Sequence, residues 1–349
     1  MARLTRIERQ ERTRNAILAA AREEFAEHGY ADTSVDRIAD RADLTRGAVY
    51  SNFPGKRALY LAVLVAMTER APAAGPAWAP ATAEDALIRF ARAWLDRLPS
   101  AGGADRLRLR SLAGVLDEHG RDVLAQLARL EALLLAVGLE SCAPGRRVRL
   151  AELALTLLSG AGHLAEQAPG FGSAADRVRA CGHLAALDLR DAWAPRPPEA
   201  TAEAVHEPLA APALRDLVGG GPVDLGTDGL VAVLGTGRLA AAEDALRAAA
   251  PGETVTLLAA VPDPAETGGL VRLRVGDLTS CLRAVFPAGT WRRLRVAVAD
   301  PAATAALGLP DPAADTEAAL RVRGGMIAAR ASGPGAARAA ARARRSAGA

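Results

Sequence analysis

The stretch TRGAVYSNFPGKRALY, Thr45 to Tyr60, gathers side chains suited to gripping a polyanion. Thr45 can cap a helix and point its hydroxyl outward. The Arg46 guanidinium fits either the edge of a guanine or a phosphate, and the residue type alone leaves that choice open. Gly47 and Ala48 are small enough to let a nucleic acid come close to the backbone. Tyr50 and Ser51 offer hydroxyls to phosphate oxygens. Lys56 opens the next helix, where its charge and the helix N-terminus attract the same anion. Val49, Phe53 and Leu59 belong to the inside of the corner. Taken alone, the stripe also fits an ordinary helical corner with Tyr50 and Phe53 as core and Arg46 and Lys56 on a solvated face.

The elements that must position these groups are short helices. NAILAAAREEFAEHGY sets Ile17, Leu18, Ala21 and Phe25 on one face, with Gly29 as a stop. TSVDRIADRA starts with Thr33 and Ser34, both able to cap, and places Val35, Ile38, Ala39 and Ala42 at helical spacing. A turn of a few residues then leads to Thr45. Helices joined so tightly must cross steeply, as in a helix-turn-helix whose second member enters the major groove.

With these pieces in order, residues 9 to about 66 resemble the DNA-binding region of the TetR family of transcriptional regulators. The resemblance rests on ILAAAREEFAEHGYADTSVDRIADRADLTRGAVYSNFPGKRALY. It implies that the third helix reads the major groove and that Thr33, Tyr50 and Lys56 hold phosphates, with Thr45, Arg46, Gly47 and Ala48 facing bases and Ser34 and Ser51 beside them. It implies further a homodimer on a palindromic double-stranded operator and a small-molecule effector. Repression is inherited from the resemblance alone. Asp43 stands where the family often has glycine, Ser51 where a larger residue is frequent, and Pro54 and Arg57 where small or acidic residues are common.

The chain has 349 residues, enough for two or three domains. The expected fold class is mainly α: a three-helix helix-turn-helix domain (1–70), a linker (71–81) and an all-helical regulatory and dimerisation domain (82–193). A second linker (194–208), a smaller α/β domain (209–330) and a disordered basic tail (331–349) complete it. In the helical middle, Leu153, Leu157, Leu184 and Leu187 are candidate interface residues. Trp94, Leu98, His119, His163, Cys181 and His183 interrupt aliphatic surroundings and are candidates for an effector pocket; each also fits as a packed or hydrogen-bonded residue of a bundle. Cys181 and His183 are two apart and do not share a helical face, which counts against a metal pair.

Residues 209–330 fall outside the resemblance. DGLVAVLG and ETVTLLAAVP flank a helical RLAAAEDALRAAA, a β-α-β pattern, and RLRVAVADP adds a buried strand; VRLRVGDLTSCLRAVF reads as a further strand and helix. Gly235 and Gly237 follow a strand as in a dinucleotide loop, but Ala240 replaces the third glycine. A nucleotide-binding or enzymatic module is the alternative reading. No cofactor, metal or catalytic set is expected, since the only histidine after residue 193 is His206.

Composition sets looser bounds. Net charge is +3 with a single lysine, Lys56, among 43 basic residues, so arginine counts carry little weight. Three widely spaced cysteines argue against a disulfide framework or paired zinc ligands. The charged N-terminus and the want of a long apolar run predict a cytoplasmic protein without a membrane span.

Overall fold

A capping box opens the first helix: Thr5 Oγ1 accepts from the Glu8 amide at 3.2 Å while the Thr5 amide donates to Glu8 Oε2 at 2.7 Å. The computed structural model describes residues 5–68, 76–97, 112–168, 170–195 and 197–343. Helix α1 runs Arg6–Asp32 and is broken at Gly29, whose φ of 77° lies in the left-handed region. It is followed by α2 (Val35–Arg41), α3 (Arg46–Asn52) and α4 (Lys56–Thr68). Asp43 adopts φ 54° in the turn between α2 and α3, so aspartate does serve where glycine is common. Then come α5 (Ala83–Leu95), α6 (Glu118–Glu140), α7 (Val148–Gln167) and α8 (Ala174–His183).

The C-terminal part is built on a six-stranded sheet in the order β1-β6-β5-β2-β3-β4. Its strands are β1 (Ala202–Pro208), β2 (Gly229–Gly235), β3 (Thr254–Ala260), β4 (Leu294–Ala299), β5 (Glu317–Arg323) and β6 (Met326–Ser332). β2, β3 and β4 are parallel, joined through α9 (Ala242–Ala248) and α10 (Thr267–Val285). The expected β-α-β unit is therefore present. The expected strand in VRLRV is not: the whole stretch is α10, because Val271, Val275, Leu278, Leu282 and Val285 recur at helical spacing and are buried. Helix α11 (Pro301–Ala306) follows β4, and α12 (Ala336–Arg342) follows β6.

Two further expectations are overturned. The proposed linker 194–208 ends in β1, which pairs antiparallel with β6 from Ala202↔Ala331 to Pro208↔Met326. An edge strand tolerates a terminal proline and outward-facing glutamates, the features that made it resemble a linker. The proposed disordered tail 331–349 contains the end of β6 and α12, whose Ala336, Ala337, Ala339 and Ala340 are buried. Alanines let a helix lie close on a sheet, so a segment with little side-chain bulk still finds a place in the core. Residues 344–349 of that tail lie outside the described residues.

The sheet is not an appended body. One continuous core joins Ile17 and Phe25 of α1, Leu61 of α4, Leu134 of α6, Leu278 of α10 and Leu230 and Val296 of the sheet. A smaller core lies on the other sheet face under α11, with Val231, Val233, Leu258 and Leu320, in keeping with alternation along each strand. α10 is wedged among α4, α5 and α6. Phe286, just past its end, packs against α6 so closely that a Cβ at Gly138 would fall 2.6 Å from the ring.

Ion pairs cross the same junction: Arg274–Glu131 at 2.7 Å, Arg97–Asp277 at 2.9 Å, Arg146–Glu243 at 2.6 Å and Arg247–Glu140 at 2.6 Å. Glu131 is buried, and desolvation raises its pKa against the pull of Arg274. Removing the cation leaves a buried carboxylate without its partner. Arg274→Met is expected to cost about 3–5 kcal/mol in urea unfolding, whereas the double change Arg274→Met with Glu131→Leu recovers most of it.

Candidate nucleic-acid interface

Helix α3 has two faces with different tasks. Val49 and Phe53 are buried against Ile38 and the first helices, while Thr45, Arg46, Gly47, Tyr50 and Ser51 are exposed, with Ala48 at the margin. Thr45 caps the helix by accepting from the Ala48 amide at 3.2 Å, leaving its methyl and carbonyl at the rim. A Cβ at Gly47 would meet only Thr45 Oγ1, at 3.9 Å, so that flank is open.

Arg46 is held across the exposed face. Its Nη1 lies 3.2 Å from Asp36 Oδ1 on α2, and its guanidinium stands 5.4 Å from the centre of the Tyr50 ring. An exposed pair of this kind contributes little to stability. What it does is keep an arginine extended over α3, ready to exchange one carboxylate for another anion. Tyr50 is 42% exposed, so its hydroxyl reaches beyond the helix surface.

The remaining nominated residues divide. Ser34 accepts from the Arg37 amide at 3.2 Å and caps α2. Ser51 donates to the Ala48 carbonyl at 2.9 Å, on the exposed side of α3. Lys56 is half-buried at the start of α4: Nζ donates to the Ala31 carbonyl at 3.1 Å and lies 4.6 Å from the Tyr30 ring centre, and desolvation lowers its pKa. Thr33 departs most from expectation. It is buried, and its hydroxyl donates to the carbonyls of Gly29 at 2.6 Å and Glu24 at 3.2 Å, which the break in α1 leaves without helical partners. Its side chain faces inward and positions the start of α2.

Sequence reasoning passed over Arg14 and the aromatic knot behind the site. Arg14 sits 4.3 Å from the Phe53 ring centre and donates to the Asn52 carbonyl at 3.3 Å, at the end of α3. Tyr60 meets Phe25 edge-on at 4.9 Å and Tyr30 at 5.0 Å. These rings fix α4 to the broken end of α1 and thereby set the platform on which α3 rests. The spacing of the aromatic residues carries no sign that three of them meet.

Arg57, a departure from the family pattern, has a defined role. It pairs with Asp117 of α6 at 2.8 Å and with Glu266 just before α10, fastening the start of α4 to both later parts of the chain.

The effector candidates do not converge. Trp94 tilts against Phe90 and Arg97; Cys181 is buried with its thiol pushed up to about 12 by desolvation; His119, His163 and His183 are exposed. Leu98 lies outside the described residues. Three exposed histidines on three helices cannot orient one ligand in an apolar pocket. Gly235 and Gly237 also have another explanation. Their amides donate to the carbonyls of Thr316 at 2.7 Å and Ala314 at 2.8 Å, and a Cβ at Gly235 would fall 2.1 Å from Ala313 O. Close packing of this loop accounts for both glycines.

The inward placement of Thr33 is checked by stability. Thr33→Val should lower unfolding free energy by about 1–3 kcal/mol and Thr33→Ser should largely restore it; an outward-facing hydroxyl would leave both unchanged.

Residues 17–63 match bacterial regulatory proteins of the tetR family. The HTH-type transcriptional regulator SrpR of Pseudomonas putida is 48% identical over 64 residues, 18% of this chain and 30% of that protein. The HTH-type transcriptional activator FasR of Mycolicibacterium smegmatis is 46% identical over 59 residues, 17% of this chain and 26% of that one. The matched segment thus spans less than a third of either relative. A crystal structure of a TetR transcriptional regulator from Rhodococcus sp. RHA1 is 20% identical with a TM-score of 0.35, covering 52% of this chain and 99% of that one. No helix among the described residues is long and apolar enough to cross a membrane. Through its N-terminal region, residues 17–63, the chain belongs to the tetR family of bacterial regulatory proteins, and the match ends well before the sheet.

Proposed function

We propose that this protein is a cytoplasmic, sequence-specific DNA-binding transcriptional regulator, not an enzyme, that acts as a homodimer on a palindromic operator and answers to a small molecule. The observation that carries the reading is the division of α3: Val49 and Phe53 anchor it while Thr45, Arg46, Gly47, Tyr50 and Ser51 face outward as one strip. A helix so mounted presents cation, hydroxyls and open backbone to a groove in the order that base and phosphate contacts require. Repression is the sense of control we favour, although one relative is named an activator.

Selection of bound sequences from random DNA supplies the operator. Arg46→Ala is then expected to weaken binding by roughly 5- to 100-fold, the range of a lost arginine contact to a base, and to relax preference at one position. Tyr50→Phe should weaken it by about fivefold, equally across sequences, for loss of one phosphate hydrogen bond. Both should melt like the parent. Parent-like affinity in both variants would remove α3 as the reading helix.

Dimerisation is supported by an apolar strip. Leu153, Leu157 and Leu164 lie on one side of α7, 40% and 39% exposed at the two ends, with Phe171 and Leu187 exposed nearby in sequence. Leu184 is half-buried and contributes less to such a face. One reading helix spans few base pairs, so two copies about 34–36 Å apart are needed for a full site. Leu153→Arg with Leu164→Arg should convert a dimer to a monomer in sedimentation equilibrium; a parent dimer unaffected by the change would place the interface elsewhere.

A further inference from the structure

The chain's extension creates a cleft against the DNA-binding region. α4 and α10 run side by side in the same direction: Glu266 meets Arg57, a Cβ at Gly269 would lie 3.3 Å from Leu61, and one at Gly276 would lie 3.4 Å from Thr68. Beyond Thr68 the helices part. The gap is bounded by Val65 and Thr68 of α4, Gly276 and Ser280 of α10 and the 215–220 segment. It adjoins a chamber of about 450 Å³ against the end of β4, walled by Pro212, Leu214, Leu217 and Val298. Arg215, Leu217 and Arg272 line both spaces, so the two form one cleft.

The charge in this cleft is one-sided. Arg215, Arg272 and Arg283 line it, and their carboxylate neighbours are already engaged. Asp216 accepts from the amides of Val218 and Val296 at 3.0 Å and of Gly219 at 2.8 Å; Asp300 accepts from the Ala303 amide at 2.8 Å. Arg283 donates to the Val218 carbonyl at 2.9 Å and so shapes the segment that carries Arg215. Burial lowers the Arg283 pKa, Asp216 opposes this, and the like charge of Arg215 adds to the lowering. Arg272 donates to the Pro264 carbonyl at 3.0 Å. Arg215 makes no hydrogen bond or ion pair through its side chain among the described residues, although it stands where two other guanidiniums converge. Planar cations gathered without a shared counter-ion next to an apolar chamber match a ligand with an anionic head and a compact apolar body.

We propose that this cleft binds a small organic oxyanion, a carboxylate or a phosphate ester, whose anionic group meets Arg215 and Arg272 and whose apolar body enters the chamber beside Leu214, Leu217 and Val298. Occupancy touches Thr68 and Val65 at one end of α4, while Lys56 and Arg57 stand at the other. The cleft is therefore the place where an effector would act on the reading domain. That coupling rests on the regulator reading, but the binding does not.

Calorimetric titration of the full chain with benzoate, phenyl phosphate and neutral benzamide tests the site and separates the two head groups. At least one anion is expected to bind tenfold or more tightly than benzamide. Arg215→Gln should weaken that anion at least tenfold, and Ala213→Trp, which narrows the chamber and keeps every charge, should weaken it as well; both variants should melt near the parent. Anions that bind no better than benzamide overturn the proposal, as does parent-like binding in both variants. Operator affinity of the ligand-free proteins, measured in the same series, reports on the regulator reading separately. With the bound anion added, that affinity is expected to shift severalfold, and no shift would overturn the coupling.

Discussion

The packing of α10 along α4 is the contact on which the rest of the molecule depends. α4 has the aromatic knot of Phe25, Tyr30 and Tyr60 on one side and the glycine-lined side of α10 on another. A helix of this length spans about 20 Å, enough to carry a displacement from the cleft at Thr68 to the foot of α3. Gly269 and Gly276 are seven residues apart and lie on the same side of α10. They let the two backbones approach more closely than larger residues would permit. The extension therefore does not trail behind a regulator; its longest helix is part of the support for the N-terminal one.

Charge specifies this arrangement where apolar burial cannot. Leucine and alanine dominate the interior, and such surfaces pack acceptably in several registers. Glu131 with Arg274, Asp277 with Arg97, and Glu243 with Arg146 fit in one. Buried pairs of this kind add little net stability, because each ion gives up its hydration, but a register that breaks them leaves a charge in a low-dielectric interior. Arg57 applies the same logic at the foot of α4, where Asp117 and Glu266 reach it from two different elements.

The parts legible in the sequence are those whose signal is local. The α3 strip reads correctly because exposure alternates with burial over a few residues, and Asp43 was a local question with a local answer. The α/β part was legible where strands are valine-rich and hidden where they are not. Ala318, Ala319 and the Gly324–Gly325 turn, with φ of 54° and 74°, form a tight hairpin made largely of alanine and arginine, residues with little strand preference. β1 and α12 were read as linker and tail because their burial depends on partners found only after the chain has folded. The histidines misled for a related reason: a polar residue among leucines marks a pocket only if its neighbours in space are known, and three of them proved to be exposed. Arg57 and Glu266 are 209 residues apart, and no periodicity connects them.

The geometry also constrains how any signal could travel. A ligand shifts an equilibrium only by the difference between its affinities for two states, so the states must differ at the cleft. A stiff change within α4 is an unsuitable source of that difference, since Leu59, Tyr60 and Leu61 are fully buried along it. Sliding of α4 against α10 is a better one. Small residues at the contact interlock less than large ones, and shear between packed helices is a common route of small displacement. Such a slide would alter the cleft beside Thr68 and the Arg57–Glu266 pair together, because both lie on the same two helices. The glycines that allow close packing are thus also the features that leave this seam able to move.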